Sequence, residues 1–179
     1  MANVGLKIIV KTTRKDLQVD QRRGKPSDNS VTNYLFGSRK VYQYQLLGVA
    51  KKIQRGIKDN IVNRKDIYGR PQIPISYGWA KYKGHDNILI WTAQLIRSIK
   101  VRKAGNSYEV FVENNRRRDP PPRNAVKRKR GKKIPLTNAE LAEIIQVKGS
   151  GRKRLRRKFF GLPKKKIQEI LKSEIKFKK

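Results

Sequence analysis

The chain has 179 residues, of which 46 are Lys or Arg and 13 are Asp or Glu, a formal charge of +33. Apolar residues make up only 36%, enough for one ordinary domain with extensions and too few for a core that includes every segment. No run reaches the roughly 18 apolar residues of a spanning helix, and the absence of cysteine excludes disulfides and thiolate metal sites. Such a surplus of like charge opposes compaction unless a polyanion or an acidic surface stands opposite. Nucleic acid and acidic proteins are therefore the expected partner classes, and a membrane is not.

The N-terminal run around Leu6, Ile8, Ile9 and Val10 is too short for a signal peptide and predicts a strand over 5–13. Residues 20–30, with Gly24, Pro26, Asp28 and Asn29, read as a polar loop. Leu46, Ala50, Ile53, Ile57 and Ile61 then recur at helical spacing and predict an amphipathic helix over about 40–62. Gly37 leaves open whether that helix begins earlier, near Ser30. Lys51, Lys52, Arg55 and Lys58 fall on its other faces.

Glycines and prolines punctuate 66–87, which reads as a long connection. A short helix is predicted between Ile88 and Ile99, with Thr92 as its N-cap. Ile99 and Val101, a turn at Gly105-Asn106, and Tyr108, Val110 and Val112 predict a hairpin over 98–113 with one buried face. Residues 114–135 hold a Pro triplet among basic runs and form a cationic insertion outside the core. Thr137 and Glu140 match a capping box that opens a helix with Leu141, Ile144 and Ile145 on its apolar side. A second basic loop over 148–158 leads to the apolar Phe159-Phe160-Gly161-Leu162. Pro163 suits the first turn of a closing helix carrying Ile167, Ile170, Leu171 and Ile175. The expected class is α+β: one domain over 1–179 with a small antiparallel sheet, packed by the long helix and the C-terminal helices.

Catalytic chemistry finds little material here. His85 is the one histidine, which rules out paired imidazole ligands and makes a Ser-His-Asp set a poor expectation. Between Gly84 and Asp86 it reads as an ordinary loop residue. Glu109 and Glu113 share one strand face by spacing, where exposed carboxylates would offset neighbouring cations. No phosphate-binding Gly-rich loop precedes a helix with the required lysine. Neither enzymatic activity nor a cofactor or metal is expected.

The cations are concentrated. Loops 116–133 and 148–166 carry ten each, against the single acid Asp119. Arg116, Arg117, Arg118, Arg123, Lys127, Arg128, Lys129 and Arg130 in the first, and Arg152, Lys153, Arg154, Arg156 and Arg157 in the second, are the candidate contacts to nucleic acid or an acidic partner. Guanidinium forks suit phosphates and carboxylates alike. Simple solvated tails are the plainer reading of any one basic run. Two runs, each followed by a helix, favour a functional surface. Trp91, Leu95, Ile99, Phe159, Phe160 and Leu162 are the candidate core or interface residues.

Two stretches resemble the tail-completion, or head–tail joining, neck proteins of tailed bacteriophages, the phage virion-morphogenesis family. The first runs from Trp79 through Ile88-Leu89-Ile90-Trp91-Thr92-Ala93-Gln94-Leu95-Ile96-Arg97-Ser98-Ile99 into the hairpin. It is similar to the family's Thr-Gly-Gln/Arg-Leu and Ser-Ile pattern, with Ala93 where glycine is usual. The second is Ala139 to Gln146, a glycine-containing loop, Arg157-Lys158-Phe159-Phe160-Gly161-Leu162 and a last helix. It is similar to the family's Arg-Pro-Phe-Leu-Gly-Leu segment and closing helix, with Lys158 in place of proline. The resemblance spans residues 40–175. It implies a non-enzymatic virion protein made in the host cytoplasm and assembled as a homo-oligomeric ring at the neck or tail end. Its neighbours would be portal or adaptor and tail proteins; the charge, and not the resemblance, suggests that the basic loops face the packaged double-stranded DNA. The rival reading is an RNA-binding or ribosome-associated basic protein; a packaging-associated DNA-binding protein is a third.

Overall fold

A computed structural model describes residues 6–12, 16–22, 30–35, 42–87, 89, 93–115, 137–149 and 155–175. Strand β1 (Lys7–Thr12) shows the period that burial imposes on a pleated strand. Leu6, Ile8 and Val10 are buried, and Lys7, Ile9 and Lys11 turn to the other side. It pairs antiparallel with β2 (Asp16–Arg22), which pairs antiparallel with β3 (Ser30–Leu35). On its other side β1 pairs with the second strand of a hairpin, β4 (Ile99–Ala104) and β5 (Ser107–Val112). The sheet order is β3-β2-β1-β5-β4 and every pairing is antiparallel. The α+β class and the hairpin are as the sequence predicts.

Helix α1 (Gln43–Val62) lays its apolar stripe across this sheet: Leu46, Val49, Ala50, Ile53, Ile57 and Ile61 are buried. The Gln45 side chain accepts from the Tyr42 amide at 2.8 Å and satisfies one of the donors a helix start leaves over. The helix thus starts at residue 43, not near Ser30, and the segment from Ser30 is strand. Short helices α2 (Tyr77–Lys83) and α3 (Gln94–Arg97) follow. The first sits inside what reads from sequence as plain connection. The second is a remnant of the helix expected over 88–99. Its cap is Ala93, and Ile99 already opens β4; Thr92 lies outside the described residues.

Helix α4 (Asn138–Glu143) begins at the expected capping box: the Glu140 amide donates to Thr137 Oγ1 at 3.2 Å, and the Thr137 amide to Glu140 Oε2 at 2.8 Å. It loosens into a π-helical turn, Ile144–Lys148. Helix α5 (Lys164–Glu174) closes the described fold, with Pro163 as its cap, one position earlier than expected, and with Ile167, Ile170 and Leu171 buried against α1. At that contact α1 has Gly48, where an added Cβ would collide with the Glu174 carboxylate. Glu174 pairs instead with Lys52 at 2.6 Å.

One apolar cluster joins the inward sides of β1, β2, β4 and β5 with α1, α4, α5 and the segment Phe159–Leu162. That segment enters the core as bare backbone, and two glutamines receive it. Gln146 accepts from the Phe160 amide at 2.8 Å and donates to the Phe160 carbonyl at 3.3 Å. Gln21 accepts from the Leu162 amide and donates to the Leu162 carbonyl, both at 3.1 Å. Each side-chain amide imitates a neighbouring strand, so the buried polar backbone keeps its partners. Gln21 belongs to β2, so the expected loop over 20–30 is in part a strand whose inward row is Leu17, Val19 and Gln21.

Candidate polyanion-binding surfaces

Of the cations singled out in the sequence, Arg156 and Arg157 are described; Arg116, Arg117, Arg118, Arg123, Lys127, Arg128, Lys129, Arg130, Arg152, Lys153 and Arg154 lie outside the described residues, as does Trp91. Arg156 is exposed. Arg157 is half-buried and reaches across the fold, donating to the carbonyls of Ile73 and Pro74 at 3.3 Å each. Beside it, the Ile67 amide donates to the Lys158 carbonyl at 2.9 Å. The segment 156–158 is therefore stitched onto the connection that follows α1. Leu95, Ile99, Phe159, Phe160 and Leu162 are all core residues, none more than 3% exposed.

The connection that receives Arg157 is more structured than its glycines and prolines suggest. Asp66 Oδ1 accepts from the amides of Tyr68 and Arg70 at 2.8 and 2.9 Å, folding a tight turn that presents the Tyr68 ring outward. Arg70 and Lys158 both hold their charge 5.7 Å from the centre of that ring, within cation–π range. Arg64 forms a two-pronged pair with Asp86 at 2.7 and 2.8 Å. These residues border an open cavity of about 280 Å³, lined by Asn63, Arg64, Lys65, Pro71, Gln72, Pro74, Ile75 and Asp86.

Burial, hydrogen bonding and neighbouring charge shift several titrations. The hydrogen bond from Arg64 holds the Asp86 carboxyl below its ordinary value. The pair therefore contributes above the ordinary carboxylate range and is lost as pH falls through the depressed value. Asp86 is exposed, so that contribution is small. Burial, and then the neighbouring Arg157 charge, lower the Lys83 pKa, with Asp86 opposing. Burial lowers that of Arg157. Between α1 and β4, burial and the Lys100 charge lower Lys58 in the same way. At Lys83 and Lys58 alike, burial is the larger cause and a neighbouring cation the smaller.

The sheet side opposite α1 departs from expectation at Glu109. Sequence spacing puts it on an exposed face, yet it is 8% exposed. Arg102 donates to it through Nε and Nη2 at 2.9 and 2.7 Å, and Lys7 stands 3.6 Å away. The Arg102 guanidinium also lies 4.5 Å from the centre of the Phe111 ring. Flanking cations and an aromatic neighbour enclose the carboxylate; Glu113 lies beyond the end of β5. No group of three or more His, Cys, Asp or Glu among the described residues could hold a metal, and among them no helix is long and apolar enough to cross a membrane.

No family model, curated protein or solved structure matches the chain. The geometry adds exposed rings that the sequence does not single out, Tyr68 and Tyr77, exposed by 52% and 83%; Trp79, where the first resembling stretch begins, is exposed by 45%. From sequence, the aromatics near the basic runs are chiefly Phe159 and Phe160, which prove to be core. Tyr68 comes beside Lys158 only through the tertiary contact made by Ile67.

Proposed function

We propose that the chain is a structural protein of a tailed-phage virion, assembled as a ring at the neck that joins head to tail or completes the tail. Its basic loops would face DNA or the acidic surfaces of partner rings. The observation that carries this reading is the backbone at the two glycine positions of the resembling segments. Ala93 stands where the family has glycine, and its φ is 57°. An L-residue in that left-handed conformation costs about 1–2 kcal/mol, so glycine is the residue this position favours. Gly161, the glycine of the Phe-Gly-Leu segment, has φ 150°, a region few L-residues adopt. Both glycine positions of the pattern therefore carry backbone that glycine suits.

The order of elements supports the same reading: a long amphipathic helix, a connection, a short helix running into a hairpin, then a closing helix after the buried Phe-Gly-Leu. An RNA-binding or ribosome-associated protein would account for the charge, but not for the resemblance of the Thr92 to Val112 segment or of the Phe-Gly-Leu ending. In the neck reading function is binding. Each subunit offers one surface to its neighbour and others to the flanking rings, and the charge is tolerated because the particle supplies countercharge.

Two measurements bear on it. The first is the composition of purified particles, which would contain the chain. The second concerns the loops. Neutralising Arg116, Arg117, Arg118 and Lys127 to Arg130 is expected to weaken duplex DNA binding and flatten its dependence on salt, by about 0.9 in log–log slope for each phosphate no longer neutralised. An unchanged slope, measured by fluorescence anisotropy across a salt series, would remove DNA as the partner of these loops.

A further inference from the structure

Strand β4 ends the sheet on one side, and the phase of its ladder decides which of its backbone groups point outward. Residues opposite one another in an antiparallel pair alternate between a bonded and a non-bonded phase. The Glu113 amide donates to the Ser98 carbonyl at 2.8 Å, which puts Ser98 and Glu113 in the bonded phase. The register then makes Lys100–Phe111, Arg102–Glu109 and Ala104–Ser107 the bonded pairs of the hairpin. The amides and carbonyls of Ile99, Val101 and Lys103 therefore face away from β5. Gln54 takes one of them, its Nε2 donating to the Ile99 carbonyl at 2.6 Å. Among the described residues nothing meets the outward groups of Val101 and Lys103. Two amides and two carbonyls thus stand in a row at the repeat of a strand, about 6–7 Å between alternate residues.

Cations surround this edge. Lys100, Arg102 and Lys103 are exposed, and Lys58 of α1 stands close enough for the Lys100 charge to add to the lowering that burial causes. Arg102 has Glu109 as its partner, whereas among the described residues no carboxylate pairs with Lys58, Lys100 or Lys103. Lysines on an edge keep like edges apart, since a second β4 would set cation against cation. They do not deter a strand of opposite charge. Phosphodiesters would suit the cations and the amides but have no donor for the carbonyls of Val101 and Lys103. A polypeptide backbone offers both groups. The chain itself has little acidic strand to supply. Its acids stand within four residues of one another at Asp16 and Asp20, Glu109 and Glu113, and Glu140 and Glu143. The first two pairs lie on or beside β2 and β5, which have neighbours on both sides, and the third is helical.

We propose that the outer edge of β4 binds an extended acidic segment of a different protein, whose backbone pairs with Val101 and Lys103 and whose carboxylates meet Lys58, Lys100 and Lys103. Strand addition of this kind draws its affinity from main-chain bonds and its selectivity from the flanking side chains. The inference is separate from the neck reading: it uses neither the basic loops nor the resemblance, and either can fail without the other.

The test titrates the full chain into a labelled eight-residue peptide in which glutamate alternates with valine, and into the same peptide N-methylated at every internal residue. Methylation keeps the charge and removes the backbone donors, and it should lower the affinity by about tenfold or more. In the complex with the unmodified peptide, hydrogen exchange at the Val101 and Lys103 amides should slow by about tenfold or more, while Lys100 and Arg102, already bonded to β5, change little. Val101→Pro removes an outward amide and no bond of the ladder, a change an edge strand tolerates. It should keep the wild-type circular dichroism spectrum and lose about tenfold in affinity. Lys100→Gln with Lys103→Gln should weaken binding and flatten its dependence on salt. Equal affinity for the N-methylated peptide would overturn the proposal, because charge alone would then hold the peptide. So would unslowed exchange at Val101 and Lys103, or a lack of saturation by about 1 mM peptide.

Discussion

Phe160→Ala should cost about 3–5 kcal/mol of folding stability, the range for deleting a large aromatic from a packed core. Phe160 has no exposed surface and meets Phe159 edge-to-face, ring centres 6.4 Å apart at 81°. The site has little means of collapse, because the backbone on either side is pinned: Gln146 holds residue 160 itself and Gln21 holds Leu162. A loss of this size is a large share of a typical domain's roughly 5–15 kcal/mol. Urea unfolding followed by circular dichroism should show the midpoint fall at an unchanged slope. Phe160→Asp, which would bury an unpaired charge, should leave no cooperative transition at all. A change below about 1 kcal/mol for the alanine variant would contradict the central place given to this segment.

Gln146→Leu should be nearly as damaging, although it removes no volume to speak of. Leucine would fit the space and leave the Phe160 amide and carbonyl, both buried, without partners. Each orphaned group costs about 1–3 kcal/mol, so the two together are expected to cost about 2–6 kcal/mol. A hydrophobic transfer argument gives the opposite sign, since leucine is happier in a core than glutamine. The larger magnitude decides: desolvating two backbone groups outweighs one side chain's gain. Hydrogen exchange adds a local readout, because the Phe160 amide should lose its protection faster than amides of α1. A variant as stable as wild type would mean that the clamp is incidental.

These two glutamines also explain what could be read from the sequence and what could not. Helix α1, the β4–β5 hairpin, the Thr137 capping box and α5 announce themselves locally, through spacing or through a cap and its partner a few residues apart. Strands β2 and β3 do not. Gln21 occupies an inward position of β2 and breaks the apolar alternation. What makes it acceptable there is the backbone of Leu162, far along the chain. β3 has Thr32 and Tyr34 on its inward side, which looks polar until its neighbours are known. Glu109 is the same lesson with a charge, enclosed by Arg102 and Lys7 from strands on either side.

The candidate site divides along the same line. The basic runs are visible at once as composition, yet most of their cations lie outside the described residues. Tyr68 and Tyr77 look like scattered aromatics in a Gly/Pro-rich connection. Tyr68 comes beside Lys158 because segment 157–158 is bonded to that connection, a pairing that no local rule reveals. The two glycine-type positions are intermediate. The resemblance marks them, and the backbone angles at Ala93 and Gly161 give the physical reason for glycine there.

Quantitative mass spectrometry of gradient-purified tailed particles, from cells that make this chain, tests the neck reading most directly. The neck assignment predicts the chain in every preparation at a fixed small ratio to the capsid protein, retained through high-salt washing. Particles that lack it, with the chain instead sedimenting on ribosomes, would contradict that assignment.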